Sequence, residues 1–178
     1  MVYRIIGIVI LFAIIWAIAG VYNNLVELRS HVDDALHHIR VLLQRRRDLV
    51  PDLLVTMKSL AIEEWSAVEA VAFAHGIAVA AETPAEMMQA DADLSKALEH
   101  LFDEVEDHPE IVSNTTFSHL KKLFEESNRQ LQAACEEYDQ CVLKYNNGIQ
   151  TFPGNIFARI FQFKEHEGLD AIKAQEDA

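Results

Sequence analysis

The densest run of charge with recognition chemistry in this chain is Arg45-Arg46-Arg47, followed by Asp48 and Asp52 on either side of Pro51. Three adjacent cations attract anionic surfaces such as lipid headgroups. The same residues can instead serve the fold, because a buried guanidinium persists only where it is paired. Arg46 occupies an apolar stripe position. The spacing therefore predicts that Arg45 and Arg46 bond a helix corner at Pro51 through Asp48 and Asp52, with contact to a neighbouring subunit as the minority case. Of the eight histidines, His37 with Asp33 and Asp34 forms the best local cluster. A carboxylate metal site in a helical bundle takes paired Glu-x-x-His motifs from two helices, whereas Asp34-x-x-His37 stands alone. No His-Glu-x-x-His, paired cysteine motif, glycine-rich phosphate loop or nucleophile elbow occurs. The expectation is no catalytic residue, no metal site, no cofactor and no enzyme activity.

The elements that must position these residues begin with an apolar run. From Ile5 through Leu11 and Trp16 to Val21, 17 residues carry no charge, and the next charged residue is Glu27. That length suits a transmembrane helix. The rival is a secretory signal with Arg4 as its basic end and Ala17-Ile18-Ala19 as the cleavage site. The apolar stripe continues past Ala19 in helical register, which favours an anchor, and no lipobox cysteine follows. With only Arg4 before the span, and Arg29 and Arg40 after it among acids, the soluble domain is expected on the cytoplasmic side of the membrane.

Alternating steps of three and four give Val21, Leu25, Leu28, Val32, Ala35, Ile39 and Leu42, a coiled-coil-like stripe continuous with the anchor. Arg46 and Pro51 then predict a corner, with a second helix from near Val50 to the Gly76–Pro84 region; a kinked continuous helix is the alternative. A third helix starts at about Pro84 and stops at His108-Pro109. A fourth follows N-cap oxygens at Asn114, Thr115 and Thr116. It carries Phe117, Leu120, Phe124, Ser127, Leu131, Ala134, Tyr138, Cys141 and Tyr145 in unbroken three-four rhythm. The fold class is all-α: a transmembrane helix (1–21) continuing into an antiparallel four-helix bundle (22–150), then a short amphipathic segment (151–163) and a charged, loosely ordered tail (164–178).

In that topology the segment after the fourth helix returns to the bilayer. Phe152, Ile156, Phe157, Ile160 and Phe161, helped by Arg159 and Lys164, then either dip into headgroups as an interfacial helix or close the base of the bundle. The net charge of -13 repels nucleic-acid phosphates and argues against that partner. Cys135 and Cys141 lie on different faces of one helix, which excludes a disulfide between them and fits a reducing compartment.

Two stretches resemble the LemA family of bacterial membrane proteins. One is Tyr22-Asn23-Asn24-Leu25-Val26-Glu27-Leu28-Arg29, running on to Arg45-Arg46-Arg47-Asp48-Leu49-Val50-Pro51-Asp52-Leu53. The other comprises His108-Pro109-Glu110, Asn114 to Phe117, Tyr138-Asp139, Tyr145-Asn146 and Phe152-Pro153-Gly154-Asn155. The resemblance implies one N-terminal span, a helical-bundle domain and no enzymatic activity; some relatives are linked to intracellular membrane organelles such as magnetosomes. The chain departs from the family pattern at Asn128 and Cys135, where a glutamate and an arginine are usual, at Asp52 and Asp139 for asparagine, and at His75 for arginine. A charge network built on those positions would be thinned here.

These readings converge on a scaffold that self-associates at the lipid bilayer as a homo-oligomer, motivated by 51% apolar residues in so acidic a chain. The alternative is a monomeric, membrane-tethered adaptor for a protein partner.

Overall fold

The computed structural model describes residues 2–60 and 66–169, and in the first 17 residues only the side chains of Tyr3, Ile6, Phe12 and Trp16. Among the described residues the chain is all-helical: α1 (Val2–Ser59), α2 (Ser66–Ala80), α3 (Pro84–Glu106), α4 (Pro109–Val112), α5 (Thr115–Gln150) and α6 (Gly154–Phe161). It divides into two compact units. One comprises Met1–Leu36 with Glu137–Leu169, and the other His37–Glu136.

The expected corner at Pro51 does not exist. Proline lies inside α1, which continues to Ser59, and the second helix starts at Ser66 rather than near Val50. Pro51 removes the donor that would serve the Arg47 carbonyl, at a cost of about 3 kcal/mol in a helix interior. Its ring faces solvent, however, and Val50, Leu53 and Met57 around it are each 0% exposed. At about 1.5–3 kcal/mol per fully buried apolar side chain, packing on that side outweighs the lost hydrogen bond. The buried positions Ile39, Leu42, Leu43, Arg46, Val50, Leu53 and Met57 form one uninterrupted stripe. The phase that sets the first half of α1 therefore carries through the proline.

In the second unit, α1, α2, α3 and α5 form a helical bundle around Val50, Leu53, Met57, Val71, Leu94, Leu98, Leu101, Phe117 and Phe124. Helix α3 starts where Pro84 predicts, under a capping box in which the Glu86 amide donates to Thr83 Oγ1 (3.2 Å) and the Thr83 amide donates to Glu86 (3.1 Å). Asn114 Oδ1 accepts from the Phe117 amide at 3.0 Å and caps α5. The expected stripe of α5 is buried at Phe117, Leu120, Phe124, Ala134, Tyr138 and Tyr145. Ser127, Leu131 and Cys141 are half-buried, and Val142 takes the fully buried place beside Cys141.

In the first unit, α5 turns into α6 across a close approach of two glycines. A Cβ at Gly154 would overlap the carbonyl oxygen of Gly148, and one at Gly148 would lie 3.0 Å from a methyl of Leu28. Gln162, with φ 57°, ends α6, and the Phe163 amide donates to Ala158 O at 3.0 Å. The following residues, expected to be loose, are tied to α5. Tyr138 Oη donates to Glu167 O (3.1 Å) and Tyr145 Oη to Lys164 O (2.9 Å). Asn146 exchanges two bonds with the His166 backbone (2.8 and 3.0 Å), and Asp139 Oδ1 accepts from the Leu169 amide (3.0 Å). Leu169 itself is buried. Residues 170–178 of the expected tail lie outside the described residues.

Candidate functional site

The arginine row separates into three roles. Arg45 is exposed, as are Asp48, Pro51 and Asp52. Arg46 is 5% exposed, and its Nη1 donates to Asp91 Oδ2 at 3.3 Å and to Asn128 Oδ1 at 3.2 Å. The expected pairing with Asp48 and Asp52 is thus replaced by one across the bundle to α3 and α5. The geometry follows from the stripe: a charge at a core position of a continuous helix points at the facing helices, not along its own surface.

Sequence reasoning missed Asp91. The signal was available, because Asp91 lies three residues before Leu94 and one after Ala90, on the face of α3 that carries the core. Burial pushes its carboxyl pKa up, against the pull of the Arg46 and Arg47 charges. Asp91 Oδ1 and Arg46 Nε are both buried with no hydrogen-bond partner among the described residues. The cluster is therefore an incompletely satisfied buried ion pair, whose desolvation offsets much of its Coulombic attraction. Arg47 was likewise missed as a capping residue: its Nη1 donates to the Ala78 carbonyl at 2.6 Å.

Helix α2 is apolar on both faces. Ala67, Val68, Val71, Ala74 and Ala78 are buried, while Ala72, Phe73, Gly76, Ile77, Val79 and Ala80 are exposed. Phe73 is 73% exposed. Ala72, Gly76 and Ala80 recur every four residues, and a Cβ at Gly76 would meet nothing within 4 Å. A helix that is apolar all round is ordinarily buried.

In the other unit, the membrane-proximal set divides by face. Gly154 and Ala158 turn inward and Phe157 is half-buried, whereas Phe152, Ile156, Ile160 and Phe161 are exposed. Packing of the base thus uses the small residues of α6, and its large apolar side chains point away. The Phe161 ring lies 4.9 Å from Tyr22, with Phe163 at 6.1 Å. Of the positions singled out for the span, Trp16 is exposed and Val21 half-buried, while the side chains of Ile5 and Leu11 lie outside the described residues. Among the described residues no helix is long and apolar enough to cross a membrane, and no group of three or more His, Cys, Asp or Glu could hold a metal ion.

These features define an all-helical bundle protein with a buried arginine–aspartate pair and a C-terminal segment strapped to the amphipathic helix α5. The LemA family model matches residues 35–178, and the chain belongs to the LemA family. No curated protein matches it.

Proposed function

We propose that this protein is a non-enzymatic scaffold, anchored in a bacterial inner membrane by residues 1–21 with its bundle in the cytoplasm, and that copies associate through the outer face of α2. The observation that carries this reading is that face. Positions 69, 72, 73, 76, 77 and 80 follow helical spacing, and only Glu69 among them is charged. In a chain of net charge -13, two copies repel over most of their surface. On the α2 face two copies meet with Glu69 as the one like charge on each side. Small residues every fourth position let two identical helices approach closely, with Phe73 and Ile77 packing beside the seam.

Support for the anchor comes from the 17 uncharged residues from Ile5 to Val21. It also comes from the exposed Phe12 and Trp16 on α1, and from the exposed Phe152 just before α6 with Ile156 and Ile160 on it. Tyr22 and Phe161 in contact put α6 beside the end of the apolar stretch, where aromatic side chains are favoured at a bilayer surface.

The test is the mass of the full-length protein in mild detergent, by light scattering, for the wild type and Phe73→Lys/Ile77→Lys. An assembly that the double substitution reduces to single chains with an unchanged melting temperature supports the scaffold. A wild type that is one chain per micelle overturns it in favour of the membrane-tethered adaptor.

A further inference from the structure

We infer that the hollow between α1 and the C-terminal end of α6 with the residues just after it is a docking site for the headgroup of a zwitterionic, amine-bearing phospholipid of the surrounding bilayer; this rests on the anchored reading above. The hollow measures about 430 Å³ and is lined by Tyr22, Val26, Arg29, Ser30 and Asp33 of α1 with Phe161 and Phe163. Positions 22, 26, 29, 30 and 33 fall on one side of a helix, so the lining changes character along a single direction. Tyr22 directly follows the uncharged stretch. Its ring and those of Phe161 and Phe163 make an aromatic end. Arg29 and Ser30 come next, about 10 to 12 Å further along the axis, and Asp33 about 6 Å beyond Arg29, by helical rise.

That order, apolar then cation with hydroxyl then anion, is the order of a phospholipid read outward from the membrane: acyl and glycerol, then phosphate, then ammonium. Arg29 is exposed and has no hydrogen bond or ion pair among the described residues. Its planar fork is thus open to a phosphate, which it binds through two parallel bonds. Asp33 is exposed too and makes no ion pair with Arg29, so it is available to a primary ammonium one turn away. The two charges explain why the choice is a zwitterion. A purely anionic headgroup would satisfy Arg29 but extend towards Asp33, in a protein already carrying -13. The aromatic wall sets depth, since tyrosine is at home where apolar and aqueous phases meet.

Native mass spectrometry of the full-length protein in detergent, with added phosphatidylethanolamine, phosphatidylcholine or phosphatidylglycerol in equal amounts, tests this. Phosphatidylethanolamine should be retained best. Arg29→Gln should lower its retention about tenfold, as expected for one lost charge-assisted contact. Asp33→Asn should abolish the preference over phosphatidylglycerol while leaving some lipid bound. Neither substitution should change the melting temperature. Preference for phosphatidylglycerol in the wild type, or retention indifferent to Arg29→Gln, overturns the site. Extraction of cell membranes with alkaline carbonate separates this from the anchored reading. A protein that stays in the membrane but retains no lipid refutes the headgroup site alone, whereas one released by carbonate refutes the anchor and the site with it.

Discussion

Arg47 of α1 donates a 2.6 Å hydrogen bond to the carbonyl oxygen of Ala78, in the last turn of α2. The last four carbonyls of a helix lack intrahelical donors, and a cation there also meets the negative end of the helix dipole. Helix α2 has no basic residue in its own last turn, so Arg47 supplies from another helix what the local sequence omits. Arg47→Gln should cost about 1.5–3 kcal/mol, the range for a hydrogen bond made by a charged group. Hydrogen exchange should quicken first at the C-terminal amides of α2. Uniform acceleration across the bundle would contradict a capping role.

Arg46 and Asp91 are coupled. Arg46→Met leaves an acidic group buried without its cation and should cost about 3–5 kcal/mol, whereas Arg46→Met with Asp91→Leu should recover most of that loss. Urea unfolding of the four members of this cycle gives the comparison. A harmless single Arg46→Met would mean that the pair is not what holds the guanidinium inside.

Burial raises the pKa of Asp91 on folding. A carboxyl so shifted holds its proton more tightly in the folded state. It therefore contributes stability that is fully present below the unfolded value, near 4, and is lost as pH rises through the folded value. Asp91→Asn removes this titration. The unfolding free energy of the variant relative to wild type should rise as the pH is taken from 4 to 7. A relative change in the opposite direction would show that the ion pair with Arg46, not desolvation, governs the site.

The side chain of Asn146 acts as a surrogate peptide group for His166, giving one hydrogen bond and accepting another. Asn146→Ala should release residues 164–169 at a local cost of about 2 kcal/mol, and Tyr145→Phe at about 1 kcal/mol, by the usual net value per bond. Limited proteolysis after Lys164 reports this directly. Cleavage should accelerate in both variants, more in the first, while the melting temperature of the bundle holds.

Where a single helix decided the matter, the pattern was readable. The caps at Pro84 and Asn114, the stop at His108-Pro109 and the α5 stripe all follow from local spacing, which a lone chain displays fully. What depended on a second helix was harder to read. Arg46 and Pro51 looked like a corner because each is locally unfavourable to a core helix. The buried partner Asp91, 45 residues on, and the fully buried Val50, Leu53 and Met57 reverse that judgement. The same holds for residues 164–169: their charges suggest solvent, and they are bound through backbone groups, which side-chain composition does not reveal. Tyr138 and Tyr145 stood out as stripe positions and Asp139 and Asn146 only through the resemblance, although each of the four side chains has a defined partner.

The two dipeptides that hold the strap are seven residues apart, two turns of α5. Helical phase therefore couples them. One residue inserted or removed between Asp139 and Tyr145 would turn the second dipeptide by about 100° around the axis and disengage it from a segment still fixed by the first. The stretch from Tyr138 to Asn146 thus behaves as a ruler of fixed length: it tolerates exchange of its intervening residues and no change in their number.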